Sequence, residues 1–309
     1  MLSPDQALDR AQALVERARK AGADAADAVY SGGASESVSI RLGQLEDVER
    51  SESEHLDLRV FVGSRSASIG SSDLSDAALG ELAERAVAMA RAAPEDPYAG
   101  LAAEELLHRG PFPDLDLSDG HEPSPEALRE QALAAEDAAR AVAGVTNSEG
   151  GSASASKRAF ALATSHGFAG AYGGTGRALS ASVVAGEGSG MQRDYAWRSA
   201  HHGEDLISPE EIGTLAGQRA VARLNPGRLK SGSIPVVFDP RVGGSLVGHF
   251  AGAISGSAIA RRSSFLLDKE GEQVFAPGIT IVDDPLRPRG LISRPFDGEG
   301  LPTARRNLV

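Results

Sequence analysis

His249 is the residue of this chain whose type and setting come nearest to metal chemistry. It lies in a Gly- and Ala-rich stretch that predicts one helix from Asp239 to about Ala260. A hydrolytic zinc site needs about three protein ligands, an open position for water and a carboxylate that accepts the proton of that water. Here no Glu follows His249, no second His lies nearby, and the chain has no Cys. We therefore expect His249 to be structural or to line a groove.

The other histidines offer no better set of ligands. His201 and His202 are adjacent, so in an extended strand they point to opposite faces, and the polar residues around them predict a solvated loop. The rest lie in separate segments without ligand spacing: His55, His108, His121 and His166. We predict that this chain binds no metal and no cofactor.

Three arginines could bind the carboxylates or the C-terminus of a peptide through bidentate pairing. They are Arg261, Arg262 and Arg294. The alternative is that they pair within the chain with the acids of Asp283-Asp284 and Asp297-Gly298-Glu299-Gly300, which we interpret as turns. With His249 they are the candidate residues of a substrate groove, and no catalytic residue is assigned. A serine nucleophile is not indicated, because no Gly-x-Ser-x-Gly elbow joins a strand to a helix.

The composition excludes several classes of protein. The net charge of −12 and an aromatic content of 5% are unlike a nucleic-acid-binding protein, which needs a basic face. The absence of Cys rules out disulfides and thiolate chemistry. No apolar run approaches the ~18–20 residues that span a bilayer. We expect a cytoplasmic protein with no nucleic-acid or membrane partner.

The first two thirds of the chain predict an α+β fold, a mixed sheet with flanking helices. Four helices begin at a capping Ser, three of them with Pro in the first turn. These starts are Ser3-Pro4, Ser75-Asp76, Ser124-Pro125 and Ser208-Pro209. Residues 25–69 and 145–185 predict strands, the former with the alternating apolar pattern of one buried face. The proline-rich residues 94–123 are interpreted as a surface crossing.

A second domain follows the Pro/Gly/Lys-rich linker Asn225–Ser233. We assign residues 1–230 to an N-terminal α/β domain and 231–309 to the start of a β-rich C-terminal domain, which we expect to be incomplete. Besides the helix that carries His249, this domain is predicted to contain strands at Ile234–Phe238, near Phe265 and at Ile279–Val282.

Several segments, in the same order along the chain, resemble the TldD/PmbA family, also called the modulator of DNA gyrase family, and most closely its PmbA/TldE branch. The segments are Asn147-Ser148-Glu149-Gly150, Ser165-His166-Gly167-Phe168, Met191-Gln192-Arg193-Asp194-Tyr195, Pro235-Val236-Val237-Phe238, Arg261-Arg262-Ser263-Ser264-Phe265-Leu266 and Ser293-Arg294-Pro295-Phe296-Asp297-Gly298-Glu299-Gly300. The resemblance implies a heterodimeric zinc protease that acts on peptides and unfolded segments. The TldD branch carries the metal, through a His-Glu-x-x-x-His helix and a Cys. Family members extend beyond the point where this chain ends, which implies a C-terminal truncation.

The resemblance places His249 at the first His of that helix motif. The Glu position is then Phe250 and the second His position is Ile254. Five residues of a regular helix turn through ~500°, so the two ligands of the motif lie ~140° apart and need a local distortion to converge. Phe cannot accept a proton, and Ile has no lone pair for a metal.

Three functions remain open at this stage. The first is a non-catalytic, metal-free subunit of a cytosolic TldD/TldE-type metalloprotease, with zinc in a TldD-like partner of a heterodimer. The second is a peptidase that is active by itself through an unrecognised site. The resemblance implies a dimer, either a heterodimer with the TldD-like subunit or a homodimer of this chain in isolation. The third is a protein-binding regulator of gyrase or of a toxin–antitoxin system. Whether this chain is itself an enzyme is left open, and peptides are the expected substrates.

Overall fold

The computed structural model describes residues 1–309. The chain forms two compact units. The first contains Met1–Asn225 and, after an excursion, Asp284–Arg306; the second contains Pro226–Asp283 and Asn307–Val309. The domain boundary predicted at residue 230 places residues 284–306 in the second domain, whereas in the structure they belong to the first unit.

The first unit is built on one six-stranded sheet with four helices. Its strands are β1 (Ala25–Arg41), β2 (Gln44–Val62), β3 (Arg65–Ser71), β4 (Val145–Thr164), β5 (Ala169–Ala185) and β6 (Gln192–Ala200). Its helices are α1 (Pro4–Lys20), α2 (Asp76–Ala92), α3 (Pro125–Arg140) and α4 (Pro209–Ala222). The strand order is β3-β2-β1-β4-β5-β6, and every pairing is antiparallel. The predicted α+β class is confirmed.

Local chemistry starts each helix where the sequence predicts it. The Ser3, Ser75, Ser124 and Ser208 hydroxyls accept hydrogen bonds from backbone N–H groups of the first turns. At α1 and α4 the residue three positions later bonds back to the cap, which completes a capping box.

All four helices pack on one face of the sheet. α1 and α2 cover one half, where Tyr30, Leu56 and Leu58 are buried, and α3 and α4 cover the other half around Leu179 and Val183. Alanines dominate both cores, so the backbones approach closely. A Cβ at Gly151 would lie 2.2 Å from the carbonyl oxygen of Ala132 on α3, which explains the need for glycine there.

The turn between β1 and β2 is fixed by a buried carboxylate. Leu42 and Gly43 have φ values of 51° and 76°, as a two-residue hairpin turn of the I′ type requires. Their N–H groups donate to Oε1 and Oε2 of Glu136 on α3, at 2.7 and 2.8 Å. Glu136 is completely buried, and it anchors the tip of the long hairpin to the helix layer.

The opposite face of the sheet carries aromatic and aliphatic side chains at one end. On β4, Phe160 and Leu162 alternate with alanines that face the helices. Residues 94–123 pack against this face and bury Leu107, Leu115 and Leu117, so the predicted surface crossing also covers part of the sheet.

The second unit contains two helices, α5 (Pro240–Ala253) and α6 (Gly256–Ala260). The single helix predicted for residues 239–260 is wrong in its last third. The Ser255 hydroxyl accepts a hydrogen bond from the N–H of Ala258 (3.3 Å) and caps a new helix, which interrupts the first one.

The strands predicted for the second unit are mostly absent. Ile234–Phe238 forms no ladder, and Val237 is 94% exposed; a strand needs a pairing partner to be stable. Around Phe265 the chain makes turns, closed by the N–H of Leu267 on the carbonyl of Ser264 (3.3 Å). Of Ile279–Val282, only β7 (Val282–Asp283) pairs, with β8 (Arg306–Asn307).

Candidate functional site

Helix α5 presents His249 on an exposed surface. Asp239 caps the helix by accepting a hydrogen bond from the N–H of Arg241 (2.9 Å), and Pro240 fits its first turn. The side chain of His249 is exposed and has no hydrogen-bond partner within the chain. No neighbouring atom lies within 4 Å of a Cβ built at Gly248 or Gly252, so this face of the helix is open.

The other two motif positions, Phe250 and Ile254, line a mainly apolar cavity of about 660 Å³ within the second unit. Phe250 is 6% exposed and packs edge-to-face on Phe275, with 5.1 Å between ring centroids. Ile254 lines the same cavity. It directly precedes Ser255, the residue that caps α6. Phe250, which the resemblance aligns with the base of the family motif, therefore serves in packing. Ile254, which it aligns with the second ligand, lines the cavity and is 38% exposed.

The residues around α5 do not fit a zinc ion. Of the three motif positions only His249 carries an atom that binds a metal, and one imidazole does not make a site. No three His, Asp or Glu side chains elsewhere in the chain converge in a way that could hold a metal ion.

The predicted groove residues fall in different units. Arg261 and Arg262 are exposed at the end of α6, in the same unit as His249, and Arg262 has a positive φ of 54°. Arg294 is exposed in the first unit, where its carbonyl accepts a hydrogen bond from Thr303 (3.0 Å). Arg294 therefore lies in a different unit from the other three candidates.

Two of the acids proposed as alternative partners of those arginines pair with other arginines. Glu299 pairs with Arg59 at 3.0 Å and Asp284 with Arg305 at 3.7 Å. The turn interpretation of the acidic motif is confirmed, since Oδ1 of Asp297 accepts hydrogen bonds from the N–H groups of Glu299 (2.9 Å) and Leu301 (2.8 Å).

The segment 293–300 packs against the first unit's sheet through Phe296. Phe296 is 2% exposed and contacts four other rings. These rings belong to Phe112, Phe160, Phe168 and Tyr172. The cluster joins the returning segment to β4, β5 and the proline-rich crossing, a long-range contact that no local pattern could reveal.

Two charged clusters hold the returning segment at its ends. Arg59 bridges the buried Asp27 and Glu299; burial raises the pKa of Asp27 above its usual range, although the guanidinium opposes this. Arg289 binds Asp116 at 2.6 Å and also Glu204 and Asp205. The hydrogen bond from Arg289 holds the pKa of Asp116 below its ordinary value.

The solvated loop predicted for His201 and His202 is wrong. Both side chains are buried, at 3% and 7% exposure. His201 lies with Nδ1 2.6 Å from the carbonyl oxygen of Thr175 and Nε2 3.1 Å from that of Gly290, and Nε2 of His202 lies 2.9 Å from the carbonyl oxygen of Asp116. The carbonyl of Gly290 belongs to the returning segment, so the sequence around the histidines carries no signal of this burial.

Comparison with known families matches three segments of the chain to one family. Residues 26–90 match PmbA/TldA metallopeptidase domain 1, residues 118–224 match the central domain, and residues 231–309 match the C-terminal domain.

Two curated bacterial proteins are similar over most of the chain. Metalloprotease PmbA of Escherichia coli O157:H7 is 39% identical over 274 residues, which are 88% of this chain and 61% of that protein. A PmbA homolog of Haemophilus influenzae is 36% identical over 296 residues, 96% of this chain and 65% of that protein. The chain thus spans less than two thirds of the length of either relative.

Solved structures share the fold. A Bacteroides thetaiotaomicron protein described as a modulator of DNA gyrase matches 99% of this chain and 70% of its own, with a TM-score of 0.91 and 27% identity. TldE of Thermococcus kodakarensis matches 97% of this chain and 67% of its own, with a TM-score of 0.79 and 21% identity, which supports the fold alone. No helix of the chain has the length and apolar character needed to cross a membrane.

Proposed function

We propose that this chain, which belongs to the PmbA/TldD metallopeptidase family, serves as a metal-free subunit of a cytoplasmic zinc metalloprotease. A TldD-like subunit supplies the zinc and its ligands in this proposal. The present chain completes the complex in which peptides and unfolded proteins are cleaved. Its relatives carry the name metalloprotease, which supports a role in proteolysis.

The observation that supports a non-catalytic role is the packing of α5. A hydrolytic zinc centre needs further ligands and a base beside the first imidazole. At those positions Phe250 and Ile254 line a mainly apolar cavity and carry neither a metal ligand nor a base, and the side chain of His249 is exposed. In this proposal the chain binds and positions peptides, and the zinc and its ligands come from the TldD-like subunit.

The test compares three samples: the purified chain, a TldD-type subunit, and the two co-expressed. Zinc is measured by elemental analysis after exhaustive dialysis, and cleavage is measured on a fluorescently labelled unfolded protein. We expect no stoichiometric zinc and no cleavage for this chain alone, and zinc with chelator-sensitive cleavage for the pair. Stoichiometric zinc together with chelator-sensitive cleavage by this chain alone would refute the proposal.

A His249→Ala variant separates the main proposal from a second candidate, a peptidase active by itself, which the relatives' name metalloprotease favours. If His249 only lines a groove, the pair retains its zinc and changes mainly in KM. If cleavage by the isolated chain is observed and disappears with His249→Ala, the second candidate is correct. Exposed Ser257→Ala on α6 is the matched control, since it removes a polar surface group of the same unit.

A further inference from the structure

The two edges of the six-stranded sheet differ in whether the outward backbone groups of the edge strand have hydrogen-bond partners. At the β6 edge, side chains form hydrogen bonds with backbone groups of the strand. The N–H of Tyr195 donates to Oδ1 of Asp194 (2.8 Å), and Arg219 donates to the carbonyl of Tyr195 (3.2 Å). Arg198 donates to the carbonyl of Trp197 (2.9 Å). Edge strands with free backbone groups recruit other strands, and polar side chains of this kind reduce that tendency.

The other edge is open over most of the length of β2. β3 pairs only with Leu56–Val62, whereas Gln44–His55 has β1 on one side and no strand on the other. Every side chain from Gln44 to Ser53 is exposed. No side chain of the protein hydrogen-bonds to the backbone of this open edge, so its outward N–H and C=O groups are available to another strand.

The open edge is strongly acidic. It carries five acids, Glu46, Asp47, Glu49, Glu52 and Glu54, against one arginine, Arg50. Glu46 pairs with Arg41, and the N-terminal amine engages Glu52 and Glu54. Asp47 and Glu49 form no ion pair within the chain. Acids lie on both faces of the strand, because Val48 shares its face with Glu52 and Glu54 while Asp47 and Glu49 point the other way.

This charge decides which strand the edge accepts. A second copy pairing edge to edge would place acids against acids, and like charges directly opposite each other destabilise a ladder. A strand with Lys or Arg side chains would gain backbone hydrogen bonds and opposite-charge pairs together. Half-exposed Leu45 and Val48 add a small apolar surface on the helix side of the strand.

We propose that Gln44–His55 is a docking strand for an extended, positively charged segment of a partner protein. The partner segment adds as a further strand at the β2 edge, through backbone hydrogen bonds and pairing of its basic side chains with Asp47, Glu49 and their neighbours. This interaction is independent of the proteolytic role, since it involves neither α5 nor any metal.

The probe is a labelled peptide of alternating lysine and threonine, long enough to span Gln44–His55, with binding followed by fluorescence anisotropy at low salt. Two matched peptides accompany it: one with alternate backbone nitrogens methylated along one edge, and one with glutamate in place of lysine. We expect the lysine peptide to bind, the methylated peptide to bind at least about tenfold more weakly, and the glutamate peptide not to bind. Absence of binding, or equal binding of the methylated peptide, would overturn the proposal.

The protein variants locate the site. Asp47→Lys with Glu49→Lys is expected to weaken binding of the lysine peptide by about tenfold or more, because attraction becomes repulsion at both positions. The control pair, Glu81→Lys with Glu84→Lys on exposed positions of α2, makes the same change in net charge away from the edge and is expected to leave binding within about twofold. Equal weakening by both pairs means non-specific charge attraction and refutes the docking strand. Far-UV circular dichroism confirms that all variants are folded.

Discussion

The buried carboxylate of Glu136 is expected to be a main determinant of the β1–β2 hairpin. Both of its oxygens accept hydrogen bonds from the turn, at 2.7 and 2.8 Å, and the side chain is completely buried. In Glu136→Gln the amide oxygen keeps one of these bonds, while the amide NH2 faces the N–H of Leu42 or Gly43. Loss of one hydrogen bond to a charged group plus an unsatisfied buried donor predicts a decrease of about 2–3 kcal/mol in the free energy of unfolding.

For a unit of this size the decrease corresponds to a fall in Tm of roughly 4–12 °C. Thermal unfolding by circular dichroism measures it, and hydrogen exchange of the Leu42 and Gly43 amides gives the local readout. The control is Glu130→Gln, an exposed position on the same helix, which is expected to change stability by less than ~0.5 kcal/mol. If both variants unfold alike and the two turn amides exchange at wild-type rates, the anchoring role assigned to Glu136 is wrong.

Three further predictions concern the remaining contacts. Burial and the hydrogen bond to Glu54 raise the pKa of Tyr30 from 10.0 to about 12, so the folded state keeps a proton that the unfolded chain releases. The stabilisation that results from this shift is present below pH 10 and is lost between pH 10 and 12. In the absorbance titration of the tyrosines, Tyr30→Phe is expected to remove the phenolate that forms near pH 12. An unchanged titration contradicts this. Trypsin is expected to cut first in the exposed segment Asn225–Ser233, with the two fragments remaining associated on native gel filtration through residues 284–306; fragments that separate without denaturant contradict that packing. Phe296→Ala is expected to cost about 3–5 kcal/mol, against less than ~0.5 kcal/mol for Phe265→Ala, whose ring is 72% exposed; equal chemical-denaturation midpoints would be the contrary result.

Local rules were sufficient for most of the first unit. A capping Ser with Pro or an acid behind it specifies a helix start through contacts that span only three residues, and all four predicted starts are confirmed. Alternation of apolar residues likewise predicted the buried face at Val38 and Ile40 of β1 and at Leu58 and Val60 of β2, because helices cover one face of this antiparallel sheet. It did not predict the first part of β2, Gln44–His55, where no helix or strand covers the polar side chains.

The failures of prediction share a different physical cause. Val236, Val237 and Phe238 have strong strand propensity, but propensity yields a strand only where a partner supplies the ladder, and these residues have none in the chain. His201 and His202 stand among polar residues, yet they are buried by segments about 26 and 89 positions away in sequence, as the contacts of His201 with Thr175 and Gly290 show. Contacts of that range are invisible to any window of neighbouring residues.

Two of the segments that resemble the family, residues 293–300 and helix α5, differ in how their side chains are held. In the segment 293–300, the ring of Phe296 fills an aromatic cluster, Asp297 closes a turn, and Glu299 pairs with Arg59. Each of these groups has a complete structural role, so none has to be assigned to substrate binding to explain its presence. On α5 the reverse holds: His249 has no structural partner, while Phe250 beside it is buried in a cavity. The exposed imidazole has no partner, and no atom lies near the glycine positions of α5, so another chain has room to approach this face of the helix. For this reason His249 is the first position to vary when the proposed complex is assembled.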